Sequence, residues 1–400
     1  MALPTLPPEI CLEIFSWVLL DGTPASLYPF LRVCRYYQAQ AQHLLYHNVD
    51  LSGCDLQKVR SWCLGVTRHQ HLAHRVRFLS LSLPVTLEAR DNGKIGHALN
   101  RCVNLKDLWI EPRIEHAHQS SLAYINHSNE WRLLDKRAFR LRKFTDTYFN
   151  MSCSPPFWRD QQDIRLLSIV QSSTFPLNYD VEPLPRLESL AARPQALPHR
   201  TRNLQYLQLH LHDNSRDLEH MTRIRVHQST LQTLSVVRIG AKVISTFDII
   251  TQAAHFLPDL TNLYITDSRD TMKNDREEPP IIPVLEQFTA LQSLVLQVCC
   301  PNVMRFHRDL AVFEESHESN KTMLALDMSR PDDRFAFALE LMDHFRSLQR
   351  IEIGFQRRLE PATAGTCILT RGKEPGMEIS SAMYDTLKWD ATEDFYSSVD

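Results

Sequence analysis

One short phrase recurs along the chain and limits what it can fold into. VNLKDLWIEP, LPRLESLAAR, RNLQYLQLHL, STLQTLSVVR, PDLTNLYITD, TALQSLVLQV and RSLQRIEIGF share the pattern Leu-x-x-Leu-x-Leu. With the middle apolar residue as a marker, the series is Leu79, Leu108, Phe144, Leu167, Leu190, Leu207, Leu234, Leu263, Leu294, Leu326 and Ile351. It spans 272 residues over ten intervals, a mean of about 27. Two apolar residues at period two belong to one face of a short strand, and the apolar residue before them turns the chain inward. Between the strands lie segments such as ISTFDIITQAAHFLP, Ile244 to Pro258, whose apolar residues fall at helical spacing. A single strand-plus-helix unit cannot bury its own apolar face, so successive units must stack. The expected class is α/β with a parallel sheet.

From about Val76 to Phe355 the chain resembles leucine-rich-repeat proteins, whose period runs from about 20 to 29 residues. The resemblance implies a solenoid with a parallel sheet on its concave side. The Asn or Cys expected three positions after the last strand leucine is met only at Cys299. His212, Ile239 and Ser268 replace it elsewhere, so the repeats are degenerate. If Leu207 and Leu209 point into the core, the pleat turns Tyr206, Gln208 and His210 the other way. The same rule exposes Phe78, Asp107, Trp109, Asn262, Tyr264, Ser293, Gln297 and Glu352. Because Trp and Tyr dominate interface hot spots, Phe78, Trp109, Tyr206, Gln208, His210 and Tyr264 are the candidate contacts for a bound target protein.

The N-terminus has a different character. LPPEICLEIF, Leu6 to Phe15, reads as a helix opening at Pro8, with Glu9 favoured by the dipole of the first turn. Its apolar residues Ile10, Cys11, Ile14, Phe15, Trp17, Val18 and Leu19 cover more than the usual stripe, so one side packs at home and another calls for a guest. After a turn at Asp21 to Pro24, the stretch from Ser26 to Leu51 is helical, interrupted at Pro29 and ending in a strand. A three-helix unit of roughly fifty residues buries too little surface to be comfortable alone. The order LPPEICLEIF, turn, Leu27, VCRYY and LLYHNV resembles an F-box, matched at Leu6, Pro7, Glu9, Ile10, Ile14, Phe15, Val33, Cys34 and Arg35. Tyr37 and Leu45-Tyr46 are mild departures. This likeness implies docking to the Skp adaptor of a Skp/cullin/F-box ubiquitin ligase. The implied adaptor contacts are Leu6, Pro7, Ile10, Ile14, Phe15, Leu27, Val33, Cys34 and Tyr37.

Other readings find less support. No Lys or Arg precedes Arg32, Glu9 and Glu13 break the apolar run, and no stretch approaches the 18 or so apolar residues of a membrane span. A soluble protein of the cytoplasm or nucleus is expected. Nine cysteines without a C-x-x-C pair suit reduced thiols. A net charge of -3 gives no global reason to expect nucleic acid or membrane as partner. Phosphate-loop, dinucleotide, zincin and serine-hydrolase motifs are missing, so no enzyme and no cofactor is expected. His69, His71 and His74, and His116 with His118, read as solvated residues, and the basic run from Arg132 to Lys143 as a solvated helix face. Glu111 to Asp135 and Asp267 to Pro283 read as loops. CILTRG suggests one more strand, and KWDATEDFYSSVD an acidic helix or tail.

The expected organisation is an F-box over residues 1–50, a repeat body over 51–356 and a cap with an acidic tail over 357–400. The expected function is the substrate-recognition subunit of a Skp/cullin/F-box ligase, catalysis residing in its partners. Two alternatives stay open: a repeat scaffold independent of any ligase, its first helices only capping the solenoid, and a nucleic-acid-binding repeat protein.

Overall fold

In the computed structural model of the chain, Pro8 opens the first helix, α1 (Pro8–Leu20), with Glu9 in its first turn. The structure describes residues 6–20, 23–84, 87–113, 133–134, 137–149, 155–170, 184–198, 203–212, 216–239, 244–267, 281–298, 304–308, 322–326, 330–357, 360–372 and 379–384. The chain divides into two units, residues 1–172 with 176–186, and residues 173–175 with 187–400.

In the first unit α1 is followed by a 3-10 segment, Pro24–Arg32, and by α2 (Arg35–His47). Pro29 sits inside the 3-10 turns, where the missing N–H and fixed φ discourage a regular α-helix. α2 runs directly into β1 (Asn48–Leu51). Gly53, with φ +67°, makes the turn out of β1, and the Asp50 carboxylate accepts from the Ser52 N–H at 2.8 Å. Asp55 caps α3 (Leu56–Arg68), which leads through α4 (Gln70–Ala73) to β2 (Phe78–Leu83). Then come α5 (Ala89–Arg101), β3 (Asp107–Pro112), β4 (Lys143–Asp146), α6 (Pro155–Asp160) and β5 (Leu166–Ser168). β1 to β5 pair in sequence order, all parallel. Val49, Leu79, Leu108, Phe144 and Leu167 form one rung of the ladder. Phe144 takes the leucine place because Phe157 and Trp158 of α6 pack edge-on against it, at centroid distances of 5.5 and 5.9 Å.

The second unit holds β6 (Ser189–Ala192), β7 (Tyr206–His212), α7 (Arg216–Met221), β8 (Thr233–Ile239), α8 (Thr246–Phe256) and β9 (Asn262–Asp267). It continues with α9 (Ile282–Leu285), β10 (Ser293–Val298), β11 (Met304–Arg308), β12 (Thr322–Leu326) and α10 (Pro331–His344). β13 (Arg350–Arg357), β14 (Glu360–Arg371) and β15 (Ile379–Tyr384) end the described chain. A capping box between Ser245 and Asp248 starts α8 inside the stretch whose spacing reads as helical. Leu190, Leu207, Leu234, Leu263, Leu294 and Ile351 form one rung, and Ala192, Leu209, Val236, Ile265, Leu296 and Ile353 the next that their strands share. The leucines, valine and isoleucines of both rungs are fully buried.

The same hydrogen-bond step recurs between successive parallel strands from β2 to β5 and again from β6 to β10 and β13. The carbonyl of the residue before one strand accepts two successive N–H groups at the start of the next. Arg77 O takes Lys106 and Asp107, Gln232 O takes Thr261 and Asn262, and Gln292 O takes Gln349 and Arg350. That last step locates a departure from the sequence reading. Leu326 is not a rung of the parallel ladder, because β12 pairs antiparallel with β11 as a separate two-stranded sheet between β10 and β13. The sheet is also not parallel throughout, since β14 runs antiparallel to β13 and β15 to β14. CILTRG does lie in β14.

A further correction concerns the basic run. Residues 137–142 are not helical, and Leu133, Leu134, Phe139 and Leu141 are buried. Gln161 fixes this segment: it accepts from the Leu141 N–H at 2.8 Å and donates to the Phe139 carbonyl at 3.0 Å. Two backbone bonds to a buried amide offer this chain an alternative to the helical ladder. Cys299, His116, His118 and the acidic segment 388–400 lie outside the described residues, as does most of the two loop stretches 111–135 and 267–283.

Candidate docking surface

The N-terminal bundle buries its own core first. Phe15, Leu27 and Ala41 are at its centre, with Val18, Leu19, Phe30, Leu31, Tyr37, Leu44 and Leu45 packed around them. The ring of Phe15 lies 4.6 Å from Phe30 and 6.0 Å from Tyr37. Tyr36 donates its hydroxyl to the Leu6 carbonyl at 2.8 Å, tying the residues before α1 to α2. Cys34 is the N-cap of α2, its sulfur accepting from the Tyr37 N–H at 3.5 Å.

What remains outside is still apolar. Leu6, Ile10, Ile14 and Trp17 are 42, 43, 42 and 60% exposed, and Leu20 at the end of α1 reaches 77%. Ile10, Ile14 and Trp17 fall at i, i+4 and i+7, one face of the helix, about a third of a turn round from the buried Cys11 and Phe15. Tyr28 and Val33 add 57 and 58% from the 3-10 segment and its end. The other exposed large hydrophobics among the described residues, Leu64, Val103, Val226 and Phe335, are scattered. Concentration over residues 6–33 is what distinguishes a docking patch from ordinary exposed apolar surface.

The adaptor contacts expected from the sequence therefore separate into two kinds. Leu6, Pro7, Ile10, Ile14, Val33 and Cys34 are exposed, Phe15 and Leu27 lie within the core, and Tyr37 is half-buried against it. Trp17, Leu20 and Tyr28 join the exposed group. Helical phasing from Ile10 and Ile14 points to Trp17 in the sequence itself.

The residues expected to meet a target belong to both units. On the first, Phe78 of β2 and Trp109 of β3 are half-buried on one face, Trp109 in register with Ser80 and Thr145. On the second, Tyr264 is half-buried, and Tyr206 and Gln208 are buried at 8 and 3%. Ser293, Gln297 and Glu352, expected to be exposed, are also buried, while Asp107 and Asn262 are half-buried. Alternation gave the right face but not the right exposure, because in a continuous parallel ladder the side chains of each rung shade their neighbours. The Asn262 amide, for example, donates to the Thr233 hydroxyl at 3.0 Å across β8 and β9. His210 is half-buried, and desolvation of its ring, with His212 and Arg193 nearby, pushes it down to about 3, so it is neutral at neutral pH.

No helix among the described residues is long and apolar enough to cross a membrane. No curated protein matches the chain. Residues 3–52, which hold α1, the 3-10 segment, α2 and β1, match the family model described as F-box-like. The chain thus carries an F-box-like domain over residues 3–52.

Proposed function

We propose that this protein is a substrate-recognition subunit of a Skp/cullin/F-box ubiquitin ligase, working in the cytoplasm or nucleus. The observation that carries the reading is the solvent-facing stripe of Ile10, Ile14 and Trp17 on the first helix of an F-box-like bundle. F-box domains typically bind Skp-type adaptors, and a stripe of this kind fits helix-against-helix docking. The adaptor would link the chain to a cullin. The degenerate leucine-rich repeats would hold the target protein, with Phe78 and Trp109 on the first unit and Tyr264 on the second as the accessible aromatic contacts. On this reading the chain performs no chemistry itself.

One observation favours a second reading, a repeat scaffold outside any ligase. The bundle ends in β1, the edge strand of the first unit's sheet, so it also serves as a cap. Mixing the purified chain with a purified Skp adaptor at micromolar concentration separates the two. A stoichiometric complex in gel filtration supports the ligase subunit, and two unchanged peaks leave the scaffold.

A further inference from the structure

A groove of about 520 Å³ runs between α3 and α5, away from the residues assigned to the adaptor. Its floor is apolar, with Cys63 buried and Leu64 50% exposed. The α3 wall is uncharged along Gln57, Ser61 and Thr67, while the α5 wall carries Arg90, Lys94 and His97, all exposed. Arg60, at the groove, is committed to Asp91, which it engages through both carboxylate oxygens. Besides Arg60, Arg90 and Lys94 also act on the Asp91 carboxylate and help hold its carboxyl below the usual carboxylate range, and with three cations against this one carboxylate the groove keeps a net positive charge.

Gly93 is the second observation. It sits inside α5, faces the groove, and an added Cβ would meet nothing within 4 Å. Glycine is among the least favoured residues in a helix interior. Packing does not demand it here, in contrast to Gly96 on the same helix, where a Cβ would meet the Arg137 guanidinium at 3.0 Å. The glycine leaves the groove open beside Leu64.

We infer that this groove docks an acidic amphipathic segment of a partner protein, its apolar side chains over Cys63 and Leu64 and its carboxylates along Arg90 and Lys94. The wall from Arg90 to His97 runs about 10 Å at 1.5 Å per residue, enough for two turns of a bound helix or a few extended residues. A cleft that is open to solvent along exposed residues on both walls suits a chain segment better than an enclosed small molecule. Charge complementarity sets the sign of the partner.

The test uses the full chain and two variants, Gly93→Trp, which fills the groove where nothing crowds it, and Arg90→Glu with Lys94→Glu. Circular dichroism checks that each remains folded, and adaptor binding stays unchanged in both, which keeps this result apart from the ligase reading. A phage-displayed library of linear peptides is panned on the wild-type chain and its binders are re-measured on the variants. The expected binders combine Asp or Glu with Leu, Met or Phe and lose about tenfold or more in affinity on each variant. Absence of peptides that discriminate wild type from Gly93→Trp overturns the inference, as do discriminating peptides without acidic residues. Laurate is the small-anion control: Gly93-dependent binding of laurate without any such peptide assigns the groove to small amphiphiles instead.

Discussion

Replacing Ile10 and Ile14 together by Asp separates docking from folding. Both residues retain about two-fifths of their surface in the free chain, 43 and 42%. Fully burying an exposed isoleucine contributes about 1.5 to 3 kcal/mol, so covering what remains of each contributes roughly 1 kcal/mol on docking. Aspartate forfeits that contribution and places a carboxylate in an apolar contact, at a further cost of at least about 2 kcal/mol per site. The two sites sum to about 6 kcal/mol, close to four orders of magnitude in Kd. Calorimetric titration with a purified Skp adaptor measures it, and a wild-type complex of micromolar Kd should become undetectable. Thermal unfolding should hardly move, since the buried Cys11 and the core residue Phe15 lie on another side of the helix and are untouched. Phe15→Asp is the wrong experiment, because it would destroy the bundle and make any loss of binding uninterpretable. A double variant that binds within about tenfold of wild type would refute the assignment of this face to the adaptor.

Three further outcomes are expected. Leu234→Ala, in the middle of a fully buried rung, should destabilise the second unit by about 2 to 5 kcal/mol in urea unfolding. Arg238 and Asp267 form a buried pair across β8 and β9, so Asp267→Ala should cost about 3 to 5 kcal/mol by removing the carboxylate that offsets the buried charge of a guanidinium still bonded to the Ile244 carbonyl. Arg238→Met combined with Asp267→Leu should recover most of that loss. Asp146 is fully buried, its Oδ1 accepting from the Tyr148 and Phe149 N–H groups at 2.9 Å while Oδ2 has no partner, and burial pushes its carboxyl up to about 7. The folded chain keeps this proton between the usual carboxylate pKa and about 7, where the unfolded chain has lost it. Stability therefore falls as pH rises through that window, with a slope of at most about 1.4 kcal/mol for each step of one in pH. Asp146→Asn should keep both backbone bonds and flatten this part of the pH profile of the unfolding midpoint.

Periodicity made the ladder legible. The period-two apolar pair put Leu79, Leu108, Leu234 and Leu263 on their rungs, and even the aromatic substitute Phe144 fell in register. Leu326 carried the same local signal and failed, because a strand's partner is decided by what the intervening chain lets it reach, which an apolar marker does not encode. The basic run failed for a related reason. Alternating Arg and Leu fits a solvated helix locally, but a single buried amide, Gln161, captures its backbone from 20 and 22 residues further along the chain. In the bundle, the motif identified the apolar residues without sorting them. Phasing from Ile10 separates the outer face from Phe15, whereas the buried position of Leu27 depends on how the 3-10 segment folds over α1 and could not be read from spacing.

The direct passage from α2 into β1 has a mechanical consequence. β1 is hydrogen-bonded to β2, and the Arg77 N–H also bonds the His47 carbonyl at 3.0 Å, so no hinge separates the F-box-like helices from the first sheet. A freely jointed tether would let a captured protein sweep through a wide volume and present many lysines in turn. A bracket of this kind fixes the angle between the face of α1 and the strands behind it, and on the proposed function it would restrict modification to whichever lysines that angle brings within reach. Lengthening the chain between Leu51 and Leu56 leaves the bracket intact, whereas loosening the join between His47 and Asn48 would widen the choice of lysine without altering either grip.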